Sequence, residues 1–141
     1  MIRMCTISSM EPSGNFENWM IVRSPDSILP YAKHVPELSP SPALFKKYRE
    51  VYQAGNFDET FFKEIYVPQF VKELMANREA GSLLEYLCHE SKTKDFYLGC
   101  YCTDEKLCHR SIVAGILLGL GADIETKPEY IEYYYLCKKY I

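Results

Sequence analysis

The segment KDFYLGCYCTDEKLCHRSIVAGILLGLGADIE (94–125) changes its hydrophobic period twice, and nothing else in the chain restricts the fold as much. Residues 94–102 are largely aromatic and apolar at strand length, which predicts a buried strand. From Ser111 the run SIVAGILLGL is helical, and Gly121 is placed to cap its C-terminus. ADIE (122–125) then predicts one further short strand. Strand, helix and strand in that order require a crossover connection, which is right-handed and pairs the strands in parallel.

The remainder fits the same class. IRMCTISSM (2–10) predicts a first strand ending in the polar turn EPSGN, and NWMIVRS (18–24) a second, stopped by SPDS. Five of the eight prolines lie in residues 25–42, which predicts a surface loop without regular elements. Ser41 as N-cap and Pro42 at the first position open a helix that ends at Gly55. Asp58 caps a longer one over 58–79, in which Pro68 either kinks the helix or marks an N-terminal turn, and Ser82 caps a third over 80–92. Pro128 starts a C-terminal helix over 128–140. The chain therefore reads as a single α/β domain over 1–141, Rossmann-like, with a short, mainly parallel sheet flanked by helices.

A chain of 141 residues buries a core without disulfide staples. Its net charge of −3 argues against a nucleic-acid coat, and Lys46, Lys47 and Arg49 read as a solvated face. No run reaches the roughly 18–20 apolar residues of a membrane span, which argues against a membrane partner. MIRMCTISSM lacks the apolar core of an export signal, so the six cysteines read as reduced thiols of a cytoplasmic protein. Five of the twelve tyrosines fall after residue 129, and Tyr130, Tyr133, Tyr134, Tyr135 and Tyr140 read as a stacking surface for a base or ring, a packing face or an oligomer contact.

Ligands of open α/β sheets bind beyond the C-terminal ends of the strands. The turn TDEKL carries the chain from such an end to a helix starting near Cys108 or His109, whose free N–H groups favour an anion. There Cys108 is expected to ionise more easily than a free thiol, and His109 to carry a proton; these two are the catalytic candidates. Arg110 offers a bidentate fork and Ser111 a hydroxyl. Cys100, Cys102, Cys108 and His109 also form a set of zinc-type donors, but the spacing C-x-C-x5-C-H departs from the usual C-x2-4-C. Zinc is the lesser reading, no metal or cofactor is assigned, and Cys100 reads mainly as core. Gly115 and Gly119, one turn apart, are expected to let the helix pack closely on the sheet.

FYLGCYC followed by CHRS at 108–111, with WMIVRSPDS upstream and VPELSPSPALFKKYREVY between, resembles the domain-of-unknown-function family 488, which includes the YeaO-like proteins. The resemblance implies a small Rossmann-like domain without an assigned activity. Cys102 stands where that family often has an acidic residue, and Met20 or Ile21 where an aspartate often precedes Val-Arg-Ser. No acidic catalytic group is carried over at either place. The C-x-C then Cys-His order is also similar to a phage-associated family, which suggests a mobile-element origin. The matching Val22–Arg23–Ser24 places Arg23 and Ser24 at a strand end. Arg23 is then expected to face Arg110 as an anion clamp.

The functional expectation is a small anionic ligand, phosphate- or nucleotide-like, held by Arg23, Ser24, Arg110 and Ser111. The alternatives are a non-catalytic structural or interaction module and a zinc-stabilised fold. Whether the chain is an enzyme stays open at this point.

Overall fold

The computed structural model describes residues 1–12 and 14–141; Ser13, within the turn expected at 11–15, lies outside the described residues. Four parallel strands, β1 (Ile2–Thr6), β2 (Phe16–Met20), β3 (Ala32–His34) and β4 (Asp95–Cys100), form one sheet in the order β1-β4-β2-β3. Helices α1 (Pro42–Gln53), α2 (Glu59–Phe61), α3 (Val67–Ala76), α4 (Arg78–Glu90), α5 (His109–Gly119) and α6 (Pro128–Cys137) complete the small α/β domain. The main core joins Ile2, Trp19, Phe96 and Leu98 of the sheet to Phe62, Phe70, Ile112 and Tyr133 of the helices. A smaller cluster of Ile7, Met10, Met20, Val22, Cys100 and Cys108 closes the other part of the sheet.

Local chemistry explains where the elements begin and stop. Ser41 Oγ accepts from Leu44 N at 3.1 Å and Pro42 fills the first position of α1, as the sequence predicts. The proline-rich loop is more regular than expected. Pro30 and Pro36 leave five intervening residues with free N–H groups, and three of them form β3 on the edge of the sheet. The second strand is shorter than 18–24: after Met20 only Ile21 N continues the ladder, to Gly99 O at 2.9 Å, and the chain then turns away.

The long helix expected over 58–79 is broken twice. Asp58 Oδ1 caps α2 through Phe61 N at 2.7 Å, and Phe62–Tyr66 then forms a wide π turn leading into α3. Pro68 has no N–H for the carbonyl one turn back, and the wider turn absorbs that missing bond. Asn77 ends α3 and caps α4, its Oδ1 accepting from Ala80 N at 3.2 Å, so the next helix starts before the expected Ser82.

Gly121 sits at φ +86°, and Ala122 N returns to Leu117 O at 3.0 Å to close α5. The strand expected at 122–125 shrinks to one bridge between Ile2 and Ile124. α6 stops at Cys137 instead of 140. Gly115 serves a different neighbour from the one expected: a Cβ there would lie 2.7 Å from Tyr134 N and 2.9 Å from Tyr133 C, so it lets α5 touch the backbone of α6 rather than the sheet. Among the described residues, no helix is long and apolar enough to cross a membrane.

Candidate functional site

β2 and β4 are adjacent and parallel, and both run out at the same edge of the sheet. Beyond their C-terminal ends opens a cleft of about 920 Å³. Val22, Arg23 and Ser24 line it from the end of β2, Cys100, Cys102 and Cys108 from the β4–α5 turn, and Tyr48, Arg49 and Tyr66 from the helical side. The strand–loop–helix thus forms the floor, and α1 the facing wall.

The floor is a thiol cluster. The Sγ atoms of Cys100, Cys102 and Cys108 lie within 4.8 Å of one another, with Cys100 and Cys108 2.9 Å apart. Residues two apart on an extended chain point the same way, which brings Cys102 beside Cys100. Cys108, the residue before the first turn of α5, turns its side chain back onto them instead of capping the helix. Hydrogen bonds from Cys102 and Cys108, aided by the Arg110 charge, hold the Cys100 thiol far below its usual range against the cost of burial. The same sharing pushes Cys102 up, and burial together with the Cys100 charge pushes Cys108 up. One thiolate shared by three sulfurs, seated on Cys100, is the arrangement these interactions favour. The reading of Cys108 as the easily ionised thiol is therefore corrected: burial at 2% exposure outweighs the helix terminus.

Arg110 is 3% exposed and turns inward. Its Nη1 donates to Cys102 O at 2.6 Å and to Cys100 Sγ at 3.0 Å, and its Nε has no partner among the described residues. No carboxylate pairs with it among the described residues. A buried guanidinium needs a negative partner, and the thiol cluster is the one it touches. Arg23 instead donates from Nε to Pro40 O at 3.1 Å and lines the cleft, whereas Arg110 lies beneath it. The two arginines therefore take different places, one at the wall and one under the floor.

His109 lines the cleft with its ring buried, and Nε2 donates to Ile21 O at 2.6 Å. That bond fixes the tautomer and leaves Nδ1 as a lone pair 3.8 Å from Cys108 Sγ. Burial lowers the His109 pKa, so the ring is neutral. Ser24 lines the cleft, while Ser111 is fully buried and donates to Glu105 O at 2.6 Å, pinning the turn. The same turn is held from α6: Tyr130 donates to Glu105, Lys127 pairs with Glu105 at 3.0 Å, and Tyr133 donates to Lys106 O. Two of the C-terminal tyrosines are thus bound within the chain, and Tyr135 remains exposed.

The wall facing the thiols is the part that sequence reasoning missed. Phe45, Lys46, Tyr48, Arg49 and Gln53 of α1 all border the cleft. Arg49 stacks over Phe45 at 5.8 Å, and burial pushes the Tyr48 hydroxyl up to about 12. The signal was a helix face mixing cations with aromatics at spacings of three and four, which reads equally well as a solvated face. Tyr101 Oη accepts from Asp26 N at 2.7 Å and ties the loop after β2 across the rim.

No curated protein and no solved structure matches the chain. A family profile described as the active DUF488-N3 subclade matches residues 2–120, from β1 through the thiol cluster to the end of α5. The chain belongs to the DUF488 family.

Proposed function

We propose that the cleft binds a small anionic, nucleotide-like ligand, and that the thiol cluster on its floor is where any chemistry takes place. The observation that supports this reading is the composition of the two walls. Arg23, Lys46 and Arg49 supply cations for a phosphate, and Phe45 and Tyr48 supply aromatic faces for a planar group, around one cavity at the C-terminal ends of parallel strands. About 920 Å³ suits a ligand of nucleotide size. The proposal moves the anion contacts from Arg110 and Ser111, which are engaged inside the chain, to the α1 face.

Isothermal titration with nucleoside monophosphates, the matching nucleosides and inorganic phosphate tests it. A monophosphate is expected to bind more tightly than its nucleoside, and Arg49→Ala to weaken it by about tenfold, the effect of one charge-assisted contact. Arg49 lies on an exposed face of α1, so its replacement leaves the core intact. Equal affinity for nucleotide and nucleoside, or no heat with any of the three, refutes the reading.

A further inference from the structure

We propose that Cys100, Cys102 and Cys108 form a three-thiolate Zn²⁺ site, with the fourth coordination position open to the cleft. The inference deepens the reading of the cleft as a ligand site by placing a Lewis acid on its floor. Sequence spacing argues against zinc, but spacing matters only through geometry, and the fold brings the three sulfurs together from the end of β4 and the start of α5. Tetrahedral zinc with bonds of about 2.3 Å holds its sulfurs about 3.8 Å apart. The three Sγ atoms lie within 4.8 Å of one another and the closest pair at 2.9 Å, so that pair has to part by about 0.9 Å, a matter of side-chain rotation.

Charge and surroundings fit the same occupant. Zn²⁺ with three thiolates carries one net negative charge, and the buried Arg110 guanidinium, which has no carboxylate partner among the described residues, carries one positive charge against the sulfurs. Its N–H donated to Cys100 Sγ is the kind of outer contact that supports a metal thiolate. The cleft is lined by all three cysteines, so a ligand or water reaches the remaining position from that side. On binding, the metal replaces the remaining thiol protons, which pass to the buffer.

The test uses the full chain, reduced and stripped with a chelator, titrated first with Co²⁺ as a spectroscopic probe and then with Zn²⁺. One equivalent per chain is expected, with thiolate-to-cobalt charge-transfer bands and the visible bands of a tetrahedral ion, displaced by Zn²⁺. Cys102→Ser is expected to weaken binding at least tenfold and Cys102→Asp to restore part of it. Cys88→Ser, remote from the cluster, is expected to bind as the parent does. Cys102 is half-buried at the cleft, and circular dichroism verifies that its variants are folded. Well under one equivalent in the parent, or undiminished binding by Cys102→Ser, overturns the site. Nucleotide titration of the metal-free protein separates the two proposals: nucleotide binding without Co²⁺ or Zn²⁺ uptake removes the metal site alone, and metal uptake without nucleotide binding removes the ligand reading alone.

Discussion

Replacing Gly115 by alanine tests the contact that holds α6 against the turn of the site. An added Cβ falls 2.7 Å from Tyr134 N, 2.9 Å from Tyr133 C and 3.0 Å from Tyr133 Cβ, all of them at or next to the backbone of α6. None of these can swing aside, so the whole helix has to recede by several tenths of an ångström. Overpacking of that kind costs about 1–3 kcal/mol, and alanine returns up to about 1 kcal/mol through its higher helix propensity. The net expectation is a loss of about 1–2 kcal/mol, or a fall in Tm of about 3–6 °C for a domain of this length. Gly119→Ala is the matched control. Its Cβ meets only the Tyr134 ring, at 2.6 and 2.7 Å, and a ring near the surface rotates, so the propensity gain leaves that variant close to neutral. Urea unfolding followed by the single tryptophan reads both, because Trp19 is 1% exposed and packed edge-on against Phe96. A Gly115→Ala protein as stable as its parent, or a Gly119→Ala protein equally damaged, refutes the backbone-contact account.

Arg110→Met keeps the stem but removes the donors to Cys102 O and Cys100 Sγ; it is expected to lower stability by about 2–4 kcal/mol in urea unfolding, and Arg110→Lys, lacking the planar fork, to recover little of it. Glu105 is drawn upward by burial, but the Tyr130 hydroxyl and the Lys127 ammonium outweigh that and leave its pKa lowered. A carboxylate lowered in the folded state contributes stability that is present above its unfolded pKa of about 4.3 and is lost as pH falls through the folded value. Glu105→Gln should therefore be less stable than the parent at pH 7, and the gap should narrow below pH ~4 in thermal unfolding; a gap constant with pH counts against the ion-pair account.

Much of the fold was legible because local chemistry and tertiary contacts agree. Ser41, Pro42, Asp58 and Gly121 each act where their side chains or backbone freedom predict, and the period change after Cys102 marks the turn into α5. The misses have physical causes. β3 is three residues with no alternation of its own, made a strand only by pairing with β2. Asn77 interrupts what reads as one amphipathic stripe, because a side-chain cap outweighs periodicity at one position. The site was found only in part: the strand end and CHRS gave its address, but the inward turn of Arg110 and the meeting of three sulfurs depend on rotamers and burial. Spacing along the chain carries neither.

The sheet order has a consequence for synthesis. β1 pairs with β4, Ile2 opposite Phe96, and β2 pairs with that same strand, so β4 joins two segments that emerge long before it. At about 5–20 residues per second, the first strand waits several seconds on the ribosome for the partner that completes its ladder. The cleft floor follows later still, once Cys108 and the helix after it have left the exit tunnel. Cysteines 100, 102 and 108 therefore meet only once β4 and the start of α5 are both out, so the floor of the cleft forms well after its α1 wall has been made.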